Sequence, residues 1–387
     1  MMKLDLLIKN GTILDLQQRQ YIRQDIGVNG NKIVDLSGIE NYESDTTIDA
    51  EGAWVLPGLI DFHTHVFHGG LAIAVDPNII CLPNGVTSVV DAGSSGCTTF
   101  NLFKSSVVEP SRVRIKSYLN VVSVGLSTLG GPTGYLENID PAHYNQAKIA
   151  QLLAENPDQI LGLKLRYSEE LFHDHPFKQD PFMTMVDMAQ QLNTNFCVHV
   201  TDSHLPAPQL IEHFRESDIF AHCYQGKGNT ILDEQGNVYP ELVKAQQRGV
   251  IFDCSNGVAH FHFKVAQTAM EQGFYPDVIS TDMTLKNSLR TTQVYSLLMV
   301  MSKYLNMGMP IFDIIKAVTE TPARLMKMDG QIGTLKPGAF ADIAIVKLVD
   351  QPFTFDDSQG NYLKANQIIE NCATILDGQI VYRRPSL

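Results

Sequence analysis

Asp61-Phe62-His63-Thr64-His65 closes the apolar run Trp54-Val55-Leu56-Pro57-Gly58-Leu59-Ile60. A run that short and apolar, ended by polar residues, reads as a buried strand of an α/β protein. Side chains alternate along a strand, so His63 and His65 are expected on one face with Asp61 below them. Two imidazoles projecting from a strand's carboxyl end are a natural pair of metal ligands. Four further strand-like segments end in metal-binding residue types: Lys164 in Gly162-Leu163-Lys164-Leu165-Arg166, His199 in Cys197-Val198-His199-Val200-Thr201, His222 in Ala221-His222-Cys223-Tyr224, and Asp282 in Ile279-Ser280-Thr281-Asp282. One strand-end histidine is usually an ordinary satisfied polar residue; the agreement of five strand ends carries the argument. Lys164 is the odd member, because an ammonium repels a cation. It becomes useful when burial lowers its pKa and carbon dioxide converts it to an anionic carbamate able to bridge two divalent ions.

Positioning such a set requires many strands ending on one rim. Between residues 57 and 335, short apolar runs alternate with helix-like segments, the signature of repeated βα units around a parallel sheet. The expected strands are Leu59 to His65, Val86 to Asp91, Ile115 to Val122, Ile160 to Arg166, Phe196 to Thr201, Asp218 to His222, Val250 to Cys254 and Val278 to Asp282. Helices are expected at Pro181 to Leu192 and Arg290 to Tyr304. This predicts an α/β fold, a (β/α)₈ TIM-type barrel over 57–335. An open doubly wound sheet is the other architecture, but it usually carries a Gly-rich nucleotide turn that is absent here. Residues 1–56 and 336–387 read as strands and turns, with Asp377-Gly378 as a hairpin turn, and are expected to form one composite β-sandwich domain beside the barrel.

The chain has 387 residues and a net charge of -13 with no basic cluster, which argues against nucleic acid or an anionic membrane surface as partner. A small-molecule substrate fits better. The first residues lack a signal-peptide pattern and no apolar run reaches membrane-spanning length, so a cytoplasmic location is expected. Six scattered cysteines with no C-x-x-C pair fit reduced, buried thiols, with Cys97 and Cys223 near strand ends. Homo-oligomers are common, and none is specified by the sequence.

The chain resembles the amidohydrolase superfamily of binuclear metal hydrolases over nearly its whole length. The resemblance rests on Pro57 to His65, on Lys164, His199, His222 and Asp282, and on the tail Ile332-Gly333-Thr334-Leu335-Lys336-Pro337-Gly338-Ala339-Phe340-Ala341-Asp342. Within the superfamily it looks most like the amidohydrolase/deacetylase group related to D-aminoacylases and dihydroorotases. The resemblance implies that His63, His65 and Asp282 hold one ion, that His199 and His222 hold the other, and that carboxylated Lys164 bridges them. Zinc suits these ligand types. The implied chemistry is metal-assisted acyl hydrolysis, with Asp282 as the proton shuttle. The dihydroorotase pattern His-x-His-x-Arg is broken here by Phe67, which disfavours dihydroorotate. Mononuclear deaminases carry His-x-x-Glu after the fifth strand, where this chain has Asp202.

For the substrate, Arg166 is two residues beyond Lys164 and is expected to grip a carboxylate. Tyr224, Ser94 and Asn256 follow strand ends and are expected as further contacts. His260 and His262 are expected to open a helix and face apart. The loops Gly125 to Gly134 and Gln225 to Gly236 are expected to cover the site. The resulting expectation is hydrolysis of an amide or ester in a small, carboxylate-bearing molecule such as an N-acyl amino acid or acylated hydroxy acid. The competing readings are a cyclic-amide hydrolase, a nucleobase aminohydrolase, and a metal-free scaffold protein.

Overall fold

A computed structural model of the chain describes residues 2–39, 41–130, 137–172 and 177–385. The N-terminal stretch forms β1 (Met2–Lys9), β2 (Thr12–Asp15), β3 (Gln20–Arg23), β4 (Ile26–Asn29), β5 (Lys32–Val34), β6 (Tyr42–Asp49) and β7 (Trp54–Pro57). Next come β8 (Leu59–Thr64), β9 (Val86–Gly96), β10 (Arg114–Asn120), β11 (Ile160–Arg166), β12 (Asn195–His199), β13 (Ile219–Ala221) and β14 (Ile251–Asp253). The chain ends with β15 (Ile343–Asp356), β16 (Tyr362–Leu376) and β17 (Gln379–Arg383).

Strands β8 to β14 pair in sequence order as one parallel, curled sheet. All six residues of β8 and all eleven of β9 are buried, as expected where helices cover the outer face of a parallel sheet. The expected eighth strand, Val278 to Asp282, is not a regular strand. It closes the ring through parallel bridges from Val278 to Asp253 and from Met283 to Thr64. Three backbone bonds reinforce the closure: Asn256 N to Ser280 O at 3.0 Å, Gly257 N to Thr281 O at 3.0 Å, and His65 N to Met283 O at 2.9 Å. Inside the ring, Ile60, Phe62, Val90, Tyr118, Leu161, Cys197, Ile219 and Ile251 pack together. Most of them precede the polar strand ends in sequence, so they fill the barrel beneath the rim and leave only that end for chemistry.

Local sequence explains the helices. Pro181–Gln191 starts where Asp180 accepts from Met183 N and Pro181 takes the first position. The helix expected from Arg290 begins instead at Leu297 and runs to Asn306, because Ser296 caps it by accepting from Met299 N. Residues 291–296 form turns and bends.

The terminal strands make two sheets, ordered β5-β4-β1-β6 and β17-β16-β15-β7-β2-β3. Leu6, Ile8, Ile26, Val28 and Ile48 from the first pack against Val55, Ile343, Ile345, Ala373 and Ile375 from the second. Asp377 and Gly378 both have positive φ, 50° and 76°, as a tight hairpin turn requires. The motif glycine Gly58 permits close approach to the barrel: a Cβ there would lie 2.2 Å from Thr87 Oγ1.

Candidate metal centre

The strand ends converge. His63 and His65 both face Asp282 Oδ1, at 3.8 and 3.2 Å from their Nε2 atoms. His199 and His222 stand 4.2 Å apart between ring centroids, and His63 and His222 5.0 Å apart. Two groups of potential ligand atoms, His63/His65/Asp282 and His199/His222/His260, each lie within 4.8 Å of one another. Lys164 is 2 % exposed, and its Nζ contacts Cys197 Sγ at 3.3 Å.

The backbone is bent to achieve this. His222, Ser255 and Asp282 all adopt positive φ, 67°, 35° and 53°. Non-glycine residues in this region carry strain of order ~1 kcal/mol or more, retained where the surroundings enforce it and typically at functional sites. Gly257 has φ of 45°, and a Cβ on it would lie 2.7 Å from both Asp282 Oδ2 and His260 Cδ2. Only glycine lets the loop pass so close to the cluster.

The hydrogen bonds behind the imidazoles set the tautomers of His63 and His222. His63 Nδ1 lies 3.0 Å from Asp253 Oδ2, and a carboxylate only accepts, so Nδ1 carries the proton. His222 Nδ1 donates to Ser255 O at 2.8 Å. Its Nε2 is buried with no hydrogen-bond partner, an orphan lone pair that a cation satisfies. His65 Nδ1 is 2.9 Å from Ser94 Oγ, and His260 Nδ1 is 2.9 Å from Thr201 Oγ1. Four imidazoles therefore have Nδ1 occupied and Nε2 left for the interior, the arrangement of metal-ligating histidines held by an outer layer of partners.

Burial favours the neutral, ligand form of His63, His199, His222 and His260. It pushes His63 below the usual histidine range, with Lys164 adding to the effect, and drives His199 and His222 well below it. His260 is brought down to about 4, chiefly by burial. Burial alone would raise Asp282, but the imidazoles of His65, His260 and His63 outweigh it and hold the carboxyl below its usual value.

A cavity of about 180 Å³ opens onto the cluster, walled by His63, His65, Lys164, His199, His260 and Asp282 and closed by Ile73, Leu126, Leu129 and Val258. Arg166 and Lys286 also line it. The structure places the substrate residues expected from sequence differently. The Arg166 guanidinium reaches the wall but is paired with Glu137 and, at 2.6 Å, with Glu170. Tyr224 is fully buried and donates its hydroxyl to Phe274 O at 2.6 Å, so it does not face the cavity. Ser94 supports His65 from behind. Asn256 is fully buried and outside the cavity lining, its side-chain amide without a hydrogen-bond partner. Phe67 packs into the core 5.1 Å from Phe103, confirming that nothing at that position can hold a carboxylate. Of the two covering loops, the first contributes Leu126 and Leu129, while its residues 131–134 lie outside the described residues. The loop 225–236 does not line the cavity.

Sequence reasoning named His260 but gave it no place among the ligands, and it missed Asp253 and Lys286. His262 does open a helix, Phe263–Glu271, and faces away, while His260 turns inward with Nε2 3.6 Å from Asp282 Oδ2. Its position in an unpaired loop hid it, since no strand parity applies there. Cys97 and Cys223 are buried packing residues; it is Cys197 that touches the site.

With this geometry in view, the comparisons with known proteins are specific. The model of the amidohydrolase family matches residues 54–381, and the chain belongs to that family. A deacetylase of Brucella anthropi is 31% identical over 334 residues, 86% of this chain and 81% of its own length. Among solved structures, an adenine deaminase superimposes with a TM-score of 0.86 at 27% identity, covering 98% of this chain and all of the other. A dihydroorotase does so with 0.85 at 29% identity, over 98% and 99%. The TIM-type barrel and the hydrolase class follow from these likenesses together with the site.

Proposed function

We propose that the protein is a binuclear metal-dependent hydrolase that cleaves the amide or ester bond of a small acylated, carboxylate-bearing molecule. The observation that carries this reading is the convergence of two three-residue ligand groups and a buried lysine in one cluster beside a cavity. His63, His65 and Asp282 would hold one divalent ion, His199 and His222 the other, and Lys164, as a carbamate formed with CO₂, would join them. The orphan Nε2 of His222 and the buried Lys164, which forms no ion pair among the described residues, fit such a pair of cations. Zinc suits the imidazole-carboxylate set. Bound there, the ions supply charge that polarises an acyl carbonyl and acidifies water.

The chain's own residues do the rest. Asp282 sits between both imidazole groups, accepts the proton of the attacking water and returns it to the leaving nitrogen or oxygen. Asp253 holds the His63 tautomer. Ile73, Leu126, Leu129 and Val258 exclude water from the acyl group. Because Arg166 is occupied by two carboxylates, Lys286 is the cation left to meet a substrate carboxylate, which moves that role from β11 to the segment after Asp282. We assign residues 57–335 to the catalytic barrel and residues 1–56 with 336–387 to a supporting sandwich. Six unpaired thiols support a cytoplasmic setting. No helix among the described residues is long and apolar enough to cross a membrane.

The test is metal analysis followed by a panel of N-acetyl amino acids, acetylated hydroxy acids, hydantoins and purines. Roughly two ions per chain and turnover confined to the acyl compounds are expected. Turnover of only hydantoins or purines would move the reading to the cyclic-amide hydrolases or aminohydrolases. Metal-free, inert protein would leave a scaffold.

A further inference from the structure

Strands β15 and β16 run far beyond the sandwich. Only Ile343 to Val346 of β15 pairs with β7, yet the β15–β16 ladder continues to Asp356 and Tyr362. The outer half lies along the helix Leu297–Asn306, where Asn306 Nδ2 donates to Gln367 O at 2.8 Å and Ile369 N to Ser302 Oγ at 2.8 Å. The hairpin thus carries its tip, residues 356–361, to the catalytic rim. Asp357 is 3 % exposed there; Oδ1 accepts from Gln359 N and Asn361 N at 2.9 Å each, which shapes the tip. Oδ2 accepts from Phe263 N at 3.0 Å. Ser358 donates twice to Phe261 O, from its backbone N at 3.1 Å and its Oγ at 2.8 Å. Lys303 closes the arrangement from below, with Nζ donating to Gln293 O at 2.5 Å and 4.6 Å from the Phe261 ring centroid.

His260 is the residue before this gripped segment, in a loop without sheet pairing. Its ring stands 4.3 Å from His222 and 4.8 Å from His199 between centroids. We propose that the hairpin tip, through Asp357 and Ser358, is a positioning element that fixes His260 against Asp282, His199 and His222. A peptide segment held at Phe261 and Phe263 leaves the preceding residue little backbone freedom and keeps its ring within reach of Thr201 Oγ1, 2.9 Å from Nδ1, whereas in an unheld loop that one contact must restrain the histidine alone. The sandwich thereby contributes to the geometry of a site to which it supplies no ligand.

For its rate readout this proposal rests on the hydrolase reading above; its structural readout does not. Asp357→Ala, Asp357→Asn and Ser358→Ala are compared in the metal-loaded protein by kcat and KM on an N-acetyl amino acid, and by the imidazole resonances of protein labelled with ¹⁵N-histidine. Displacing a catalytic-face group by about 1 Å costs up to about 100-fold in rate, so Asp357→Ala is expected to lower kcat about tenfold, more than it changes KM. The His260 resonance shifts while those of His63 and His65 stay. Asp357→Asn keeps one oxygen for Gln359 N and Asn361 N and sets its NH₂ against Phe263 N–H, so in folded protein it is expected to lower kcat and shift the His260 resonance as Asp357→Ala does. An unshifted His260 resonance with wild-type kcat in folded Asp357→Ala overturns the proposal. If that variant does not fold, the same criteria apply to Ser358→Ala. Should wild type turn over no acyl compound, the hydrolase reading falls and the His260 resonance still decides the positioning role.

Discussion

Asp253→Asn isolates the orientation of His63 from its identity. The carboxylate is fully buried: Oδ1 accepts from Ser255 N at 3.0 Å, and Oδ2 from His63 Nδ1 at 3.0 Å, a nitrogen that Ser255 Oγ also meets at 2.9 Å. Ser255 Oγ and Ser280 Oγ add two close contacts. Hydroxyls can rotate to suit an amide, but a backbone N–H cannot. Asparagine must therefore set its NH₂ against Ser255 N–H or against His63 Nδ1–H. The first leaves a buried donor unsatisfied, at about 1–3 kcal/mol of folding stability. The second sets two donors against each other: either the His63 proton moves to Nε2 and its lone pair is lost from the cluster, or Ser255 Oγ holds the Nδ1 proton and a buried N–H of the amide is left unsatisfied, at the same cost in stability. Loss of such an outer partner typically costs about 10–100-fold in metal affinity or activity. Urea unfolding and a zinc-competition titration on the same preparation read the two branches. At least one must move: either stability falls by the amount given, or zinc affinity falls by at least about tenfold with kcat following it. Wild-type stability together with wild-type zinc affinity would refute the reasoning that Asp253 dictates the His63 tautomer.

Lys286→Met should raise KM for an N-acetyl amino acid by about tenfold while leaving its neutral methylamide unchanged, whereas equal effects on both would remove the lysine from carboxylate recognition. Asp282→Asn should lower kcat by at least about 100-fold, and retained metal with normal turnover would rule out proton transfer by this residue. Removing metal with a chelator should abolish turnover and zinc should restore it; activity surviving in protein shown to be metal-free would defeat the hydrolytic mechanism. Lys303 gives a pH test. Burial lowers it from the usual 10.5 to about 7, against the opposing pull of Asp356. Between those values the unfolded chain binds the extra proton, so stability should rise with pH from about 7 to 10.5, by at most about 1.4 kcal/mol per pH unit for one proton. Lys303→Met should flatten that rise in unfolding experiments; an unchanged profile would show that Lys303 keeps its proton in the fold.

Much of the barrel was written locally. Ile160–Arg166 appears with the bounds its pattern suggested, because a short apolar run with a polar end has few alternatives to a buried parallel strand. The terminal strands were legible for the same reason, down to Asp377-Gly378, although β3 and the outer halves of β15 and β16 were not, being exposed and polar enough to look like loop. The eighth segment kept its place in the ring but lost regular pairing, since Asp282 must take a positive φ to turn its carboxylate inward.

Strand ends betray themselves through alternation, so His63, His65, Lys164, His199, His222 and Asp282 could be named as a group from sequence, and the structure gathers them in one cluster, all but His222 lining its cavity. Everything held by loops or by partners distant in the chain depended on the fold. The inward turn of His260, the grip of Asp253 on a histidine 190 residues away, and the capture of Arg166 by Glu137 and Glu170 have no local signature. Periodicity records which side of an element a residue faces; which atom meets it there is decided only when the chain closes, because hydrogen bonds and charges are satisfied in space and not along the sequence.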